Sequence, residues 1–236
     1  MSVPAARRLT ALVFGGACFL CRGAAAGLLC PACDADLPRL RGPLCPRCAL
    51  ATPAGEVCGR CLARAPHYDA TVAALAYRFP ADVLVQALKF QGELALAPLL
   101  GELLAAAVAA APPGRVDAVV PVPLSPRRLA ARGANQAMEL ARPAARAAGA
   151  RLDPDLCERV RDTPAQVGLP HDERAANVRG AFACPRLAAG LSIAIVDDVM
   201  TTGATLEEIA RELKAAGAER VVNWVVARTP PPEAAP

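Results

Sequence analysis

Aromatic side chains and lysine are both scarce in this chain. Phenylalanine, tyrosine and tryptophan make up 3% of its 236 residues, whereas sheets that bind RNA or single strands stack bases on several exposed rings. Lys89 and Lys214 are its two lysines, so arginine supplies nearly all of the 26 basic residues. Against 22 acidic residues these leave a formal net charge of +4. Direct base readout is therefore not the first hypothesis, and nothing in the charge requires a nucleic acid or an anionic membrane as partner.

Several common ligand-binding and targeting motifs are also missing. The chain has no G-x-x-x-x-G-K-[ST] run, which excludes a P-loop, and no G-x-G-x-x-G after a predicted strand, which excludes a dinucleotide-binding turn. The N-terminus imitates a signal peptide because Arg7 and Arg8 precede an apolar run. The small residues at 15–17 do not fit a lipid-modified Cys18. We expect a short amphipathic helix there, and a cytoplasmic protein.

Cysteine is abundant and regularly paired. Eight of the ten cysteines form four C-x-x-C pairs, namely Cys18/Cys21, Cys30/Cys33, Cys45/Cys48 and Cys58/Cys61. Thiolates three residues apart on a turn can face one ion, and two such turns complete the tetrahedral sulfur shell of zinc. Disulfides, redox thiols and an iron–sulfur cluster are the alternatives, but regular pairing without a secretory signal favours zinc.

The four pairs predict two zinc ions with a structural role. Each site would be closed by four protein ligands, and would stabilise a module too small to fold on a core alone. The spacers suit consecutive sites, although a cross-braced pairing of alternate turns stays open. Cys157 and Cys184 are expected to be small buried residues without a role.

Beyond the cysteines, strand and helix patterns alternate. The strand DATVAALAY and the helix FPADVLVQALKF come first. The stretch Leu94–Ala111 contains Pro98, Gly101 and Glu102, which favour a buried, Ala-rich helix over a membrane span. The segments VDAVVPV, ANQAMELA, LSIAIV, TLEEIARELKAAG and RVVNWVVA then alternate strand with helix, which predicts a parallel sheet with crossover helices. Pro143 is expected to kink or break the helix that follows Asn135.

The clearest functional pattern is IAIVDDVMTTGAT. Its apolar run Ile193–Val196 leads into Asp197 and Asp198, and a small polar loop then enters the next helix. Such a turn gathers backbone amides and the positive end of a helix dipole, and Gly203 allows an anion to approach closely. Adjacent carboxylates would repel that anion, so they should face ribose hydroxyls or a magnesium ion. The pattern predicts a site for a sugar phosphate.

This segment resembles the phosphoribosyl-pyrophosphate signature of type I phosphoribosyltransferases. With the cysteine pairs and the segments YRFPADVLVQALKFQGE, PVPLSPRRLAARGANQA and RDTPAQVGLPHDERAANVRGAF, the chain from about position 14 to 228 resembles the ComF family. The resemblance implies an α/β fold, with a type I phosphoribosyltransferase-like parallel sheet flanked by helices and an N-terminal Cys-rich zinc-ribbon module. It implies an N-terminal helix and double zinc ribbon over 1–64, a phosphoribosyltransferase-like domain over 65–228 and a disordered tail over 229–236.

The resemblance also implies a ligand, phosphoribosyl pyrophosphate with magnesium, and roles for the matching positions. The candidate catalytic residues are Asp197 and Asp198. The ribose and 5′-phosphate would be bound by Asp197, Asp198, Val199, Met200, Thr201, Thr202, Gly203, Ala204 and Thr205. Pyrophosphate would be bound by Arg127, Arg128 and Arg132. A covering loop would carry Arg161, Thr163, Gln166, Arg174 and Asn177. Ala134 departs from the family pattern, which usually has an aromatic residue there, and this bears on local packing or acceptor contacts.

Three functions fit these patterns. The first is a pentosyl-transferring enzyme whose acceptor no sequence feature identifies. The second is a non-catalytic partner of single-stranded DNA or of a competence helicase, using the zinc ribbons and arginine clusters, because ComF-type proteins resemble components of natural competence. The third is a sensor that binds the nucleotide precursor without turning it over.

Overall fold

The computed structural model of the protein describes residues 16–110, 114–163 and 173–231, with the backbone alone at 173 and 174. The end of the expected tail at 232–236, the candidate residue Gln166 and the part of the expected N-terminal helix before position 16 lie outside the described residues. The rest of the apolar run 9–20 forms a short strand and a turn instead of a helix.

Four short elements build the N-terminal, cysteine-rich part: β1 (Gly16–Ala17), β2 (Ala24–Ala25), α1 (Pro31–Ala35) and α2 (Gly59–Ala63). Strands β1 and β2 pair antiparallel, and the turn between them carries Cys18 and Cys21. Each short helix begins directly after a cysteine, Cys30 or Cys58, which serves as its N-cap residue. The second cysteine of each of these pairs therefore lies on a helix, three residues from its partner.

The rest of the described chain alternates strand with helix. The elements are β3 (Ala70–Ala76), α3 (Ala81–Phe90), α4 (Leu96–Ala110), β4 (Ala118–Pro121), α5 (Pro126–Arg132), α6 (Gln136–Ala148), β5 (Arg151–Leu152), β6 (Glu158–Arg159), α7 (Glu173–Val178), β7 (Phe182–Ala183), β8 (Ser192–Met200), α8 (Ala204–Ala215) and β9 (Arg220–Arg228). Five of the strands form one sheet in the order β3-β9-β8-β4-β5, and every neighbouring pair is parallel. The predicted parallel sheet with crossover helices is confirmed.

Helices cover both faces of this sheet. Helices α3, α4 and α6 pack on the face that contains Trp224, the largest fully buried side chain. Helix α8 packs on the other face through Leu206, Ile209 and Leu213, the apolar stripe that its sequence predicts. The predicted Ala-rich buried helix is α4, and among the described helices none has the length and apolar character to cross a membrane.

The prediction for Pro143 is a kink or a break in α6, and the break does not occur. The helix runs as one element to Ala148 with Pro143 inside and buried. The proline ring packs on Gly101 of α4, where a methyl group would approach its Cγ to 2.5 Å. Proline lacks a backbone N–H, so α6 loses one hydrogen bond at this position. The packing of the buried ring against α4 offsets the free-energy cost of that loss.

Strand β8 is longer than the predicted strand. The apolar pattern ends at Val196, but pairing with β9 continues to Val199 and Met200. Asp197 and Asp198 therefore lie on the strand rather than in the loop, which is limited to 201–203. The strand extends because its neighbour β9 supplies backbone partners as far as Arg228.

Candidate functional site

The cysteine pairs form two separate clusters. In each cluster the sulfur atoms lie within 4.8 Å of one another, and the members are consecutive in sequence: Cys18, Cys21, Cys30 and Cys33 in the first site, and Cys45, Cys48, Cys58 and Cys61 in the second site. The alternative of cross-braced pairing is excluded by this arrangement. Four sulfurs at this spacing fit the tetrahedral shell of a structural zinc ion.

Backbone amides support the charged form of one thiol in each site. The amide of Cys30 donates to Cys18 Sγ at 3.4 Å, and the amide of Cys58 donates to Cys45 Sγ at 3.3 Å. Bonds from the amides of Cys21 and Cys30 lower the pKa of Cys18 to about 6. Burial opposes the charge of Cys45, but bonds from Cys58 and Cys48 outweigh it and lower its pKa to about 7. Thiolate is the form that binds a metal.

The cysteine-rich part covers the open edge of the sheet. Strand β3 is an edge strand, and the segment before the second site pairs with it, since Leu40 N donates to the Ala74 carbonyl and Ala76 N to the Pro38 carbonyl. Thr71 of β3 also donates from its hydroxyl to the Arg47 carbonyl at 2.5 Å. An unpaired edge would invite association with other chains, and this cover removes it.

Arg228 joins the second site to the loop after β8. Its side chain is buried, with 2% exposed. Nε donates to the Cys48 carbonyl at 2.8 Å, while Nη1 donates to the carbonyls of Met200 at 2.8 Å and Thr201 at 2.5 Å. Burial and the nearby charge of Arg60 lower the pKa of Arg228. One guanidinium therefore holds a cysteine turn and the loop in fixed relation.

The loop after β8 requires glycine at its end. Gly203 has φ +86°, and α8 begins at the next residue. A Cβ at Gly203 would lie 2.8 Å from Met200 Cε and 3.3 Å from the Tyr68 hydroxyl. The Thr202 hydroxyl accepts a hydrogen bond from the Ala204 amide at 3.1 Å. Both the backbone conformation and the available space thus exclude a larger residue from the position where the helix N-terminus opens.

The two adjacent acids have different surroundings. Asp198 is buried, and its Oδ1 accepts a hydrogen bond from Lys89 Nζ at 2.9 Å. Asp197 Oδ1 accepts a hydrogen bond from the backbone amide of Asp198 at 2.8 Å. Burial and the charge of Asp198 raise the pKa of Asp197 to about 7, against the opposing effect of Lys89 and Arg132. Burial also opposes the charge of Lys89, but both carboxylates outweigh it and its pKa lies above the ordinary value.

Lys89 is a site residue that sequence reasoning did not single out. It lies at the end of α3, more than a hundred positions before Asp198, so only the folded chain brings them together. One signal existed in the sequence. In a chain whose basic residues are nearly all arginine, a lysine marks a position where a compact point charge is preferred to a guanidinium fork.

The three candidate pyrophosphate residues on α5 occupy different positions. Arg128 donates to the Thr163 carbonyl at 2.7 Å, which ties α5 to the candidate covering segment. Arg132 lies near enough to Asp197 to act on its pKa, and contacts Gln136 at 3.4 Å. Arg127 is exposed. The structure thus brings Arg132 towards the acids and leaves Arg127 on the surface.

The candidate covering segment lies between two short paired strands, β6 before it and β7 after it. Strands β6 and β7 pair antiparallel, and Thr163 is buried and accepts from Arg159 at 2.6 Å. Arg161 reaches across to the carbonyls of Arg179 and Asn177. Gln166 and the side chain of Arg174 lie outside the described residues.

The hairpin also brings together two cysteines that the sequence treats separately. Cys157 precedes β6 and Cys184 follows β7, and their thiols are close enough that Cys184 raises the pKa of Cys157 and Cys157 lowers that of Cys184. Cys157 is buried as expected, whereas Cys184 is partly exposed.

Comparison with known proteins assigns both parts of the chain. Residues 9–62 match the model of the double zinc ribbon domain, and residues 136–235 match that of the phosphoribosyl transferase domain. The DNA utilization protein YhgH of Salmonella typhi is 38% identical over 92% of this chain and 99% of its own length. Competence protein F of Haemophilus influenzae is 33% identical over 91% of this chain and 98% of its own length. The chain belongs to the ComF family.

The ComF assignment accounts for both cysteine sites and the parallel sheet. The match to the phosphoribosyl transferase domain begins at Gln136, although β3 and β4 precede it and belong to the same sheet, and α3 and α4 pack on that sheet. A purine phosphoribosyltransferase from Pyrococcus horikoshii is 15% identical over 70% of this chain and 96% of its own, with a TM-score of 0.29. That score is too low to support an inference, so the family rests on the full-length relatives and the domain matches.

Proposed function

We propose that the protein binds phosphoribosyl pyrophosphate with magnesium where β8 meets α8, and transfers the phosphoribosyl group to an acceptor that its sequence does not identify. The observation that carries the proposal is the pairing of two acids with a glycine-ended loop at a helix N-terminus. Asp197 and Asp198 end the apolar part of β8, and Gly203 opens α8. A sugar phosphate needs hydroxyl acceptors and an anion site side by side.

The residues divide the ligand between them in this proposal. The amides and hydroxyls of 201–205 hold the 5′-phosphate, and the first-turn amides of α8 point out of the helix end towards it. Lys89 already occupies one oxygen of Asp198. The Asp197 carboxylate is therefore the one available to a ribose hydroxyl or a cation.

Magnesium fits this site because its donors are oxygens, the ligands that Mg²⁺ prefers. When bound with the pyrophosphate it would neutralise the leaving group. Arg132 and Arg128 would add positive charge on the α5 side. Because departure of pyrophosphate leaves a cationic sugar, catalysis rests on positioning, on charge and on exclusion of water by the segment 161–180.

The two cysteine sites are proposed to hold zinc and to be structural. Each is closed by four sulfurs, with no ligand position left for a substrate. Loss of zinc is expected to unfold the module, because so small a unit depends on its metal.

Release of pyrophosphate tests the enzyme directly. We expect the wild type to release it from phosphoribosyl pyrophosphate with magnesium and one member of a panel of bases and amines. The double variant Asp197→Asn, Asp198→Asn should lose this activity. The matched control Asp36→Asn, Asp155→Asn removes the same charge at exposed positions and should keep it. Equal activity in both double variants would refute the site.

A second function, the handling of single-stranded DNA, is supported by the relatives whose names refer to DNA utilization and competence. Binding would draw on arginine contacts to phosphates and so weaken steeply with salt. An anisotropy titration of a labelled single strand at several salt concentrations tests it. Binding that is absent at low salt would exclude this function.

A further inference from the structure

A cavity lies between the second cysteine site and the loop after β8. Its volume is about 400 Å³, and the residues that matter for its chemistry are Arg60, Arg64, Tyr68, Thr202, Gly203 and Glu207. We call it the junction pocket. We propose that the junction pocket binds a phosphate group of a ligand, with Arg60 and Arg64 of the zinc-ribbon module supplying the charge. Thr202 and Gly203 belong to the loop of the proposed function, and the inference goes beyond that function by adding Arg60 and Arg64 of the zinc-ribbon module. It rests on the proposed function only where the ligand is a sugar phosphate.

Two guanidinium groups face this pocket without an acidic partner. Arg60 lies in α2 and Arg64 directly follows it, and both are exposed. Among the described residues neither has an ion pair. Arg60 is close enough to Tyr68 and Arg228 for its charge to act on their pKa values. Paired guanidinium groups are suited to phosphate because each offers a fork of donors that matches two of its oxygens.

Tyr68 offers a further donor from a buried position. Its side chain is 4% exposed, and its hydroxyl lies beside Gly203 on the wall of the pocket. Within the described ranges no hydrogen bond reaches that hydroxyl. Because Tyr68 lines the pocket, its hydroxyl can donate to a ligand there. A phenol is neutral, so it can donate a hydrogen bond to an anion without burying another charged group.

Among the described residues that line the pocket, Glu207 is the one carboxylate, and it is already engaged. Glu207 Oε2 accepts the backbone amide of His67 at 2.9 Å, and its Oε1 lies 2.6 Å from His67 Nδ1. Both oxygens are therefore occupied, whereas the two arginines and the phenol are not. The remaining groups are donors, and the α8 N-terminus beside them adds the positive end of a helix dipole. The balance favours an anion.

The phosphate group in the junction pocket could belong to a sugar phosphate or to the backbone of single-stranded DNA. The probes are phosphoribosyl pyrophosphate with magnesium, measured by calorimetry, and a labelled oligothymidylate, measured by anisotropy at low salt. The test variant is Arg60→Gln, Arg64→Gln. The control variant, Arg22→Gln, Arg41→Gln, removes two exposed arginines from the same module. Zinc content and thermal unfolding establish that both variants are folded.

We expect the test variant to bind at least one probe roughly tenfold or more weakly, and the control variant to bind as the wild type does. Tyr68→Phe should weaken the same probe several-fold without loss of stability. Loss for the sugar phosphate alone assigns the pocket to that ligand, and loss for the oligonucleotide alone assigns it to a strand.

The failures of the two proposals are distinguishable. A wild type that binds the oligonucleotide but not phosphoribosyl pyrophosphate refutes the proposed function, and the oligonucleotide then decides the junction pocket. Unchanged affinity of the test variant for both probes overturns the pocket alone. If the wild type binds neither probe, both the proposed function and the junction pocket are overturned.

Discussion

At the scale of single residues, the pair formed by Lys89 and Asp198 places a cation beside a buried carboxylate. Asp198 is buried, and Lys89 supplies the cation at 2.9 Å from its carboxylate. Removing one partner of a buried pair leaves the other charge unsatisfied, which costs more than the pair contributes. The same lysine also opposes the rise in the pKa of Asp197.

Replacing Lys89 with methionine should therefore destabilise the fold. We expect the free energy of unfolding to fall by about 1–3 kcal/mol, the cost of an unsatisfied buried group, as measured by urea denaturation. Lys214→Met is the matched control, because Lys214 pairs with the more exposed Asp69 and such a pair contributes at most about 1 kcal/mol. Equal losses in the two variants would show that the pair at Asp198 is not special.

The raised pKa of Asp197 predicts a pH dependence of stability. The folded protein holds this proton more tightly than the unfolded chain, since the pKa rises from 3.8 to about 7. The stabilisation is complete below the unfolded pKa and is lost as pH rises towards 7. Unfolding of the wild type and of Asp197→Asn should be compared from pH 5 to 8. As pH rises, the free energy of unfolding of the wild type should fall relative to that of Asp197→Asn by up to about 1.4 kcal/mol for each unit of pH. A difference that stays constant over this range would contradict the raised pKa of Asp197.

At the scale of elements, the loop between β8 and α8 depends on its glycine. Gly203→Ala combines a positive φ with a clash against Met200, whereas Gly190→Ala, at φ +70°, has the strain with no atom near its new methyl group. The strain alone costs about 1–2 kcal/mol. We expect both variants to lose stability in thermal unfolding, and only Gly203→Ala to lose binding of phosphoribosyl pyrophosphate. Loss of binding in both would mean that general destabilisation explains it.

Some elements of the fold follow from local sequence patterns, and others depend on neighbours that are distant in sequence. Alternating strand and helix patterns and paired cysteines are local, so the sheet, α8 and the two metal clusters were predictable. The end of β8 depends on its neighbour β9, and the continuity of α6 through Pro143 depends on Gly101 of another helix. Lys89 and Arg228 act on residues distant in sequence, which no local pattern reveals.

At the scale of the whole molecule, the zinc-ribbon module and the sheet form one hydrophobic unit. Cys45, Cys48 and Cys61 pack in the same buried cluster as Ile195 and Val225. Arg228 connects this cluster to the loop after β8 through the Cys48 and Thr201 carbonyls. The second site is therefore coupled to the candidate ligand site by contact, and the first site is not seen to share these bonds within the described ranges.

This coupling predicts unequal effects of the two metal sites. Cys48→Ser, in the second site, should weaken binding of phosphoribosyl pyrophosphate by roughly tenfold, the loss expected when a supporting shell is disturbed. Cys21→Ser, in the first site, should leave it within about twofold of the wild type. Zinc analysis would check that each variant loses one ion. The opposite order of effects would exclude transmission through Arg228.

The most direct test of the central claim is a calorimetric titration of phosphoribosyl pyrophosphate into the wild type and into Asp197→Asn, Asp198→Asn, with and without magnesium. The account predicts saturable binding by the wild type that strengthens with magnesium. In the double variant it predicts binding weakened tenfold or more. The control Asp36→Asn, Asp155→Asn should behave as the wild type. Absence of saturable heat in the wild type, or equal affinity in the double variant, would contradict a phosphoribosyl site at the end of β8.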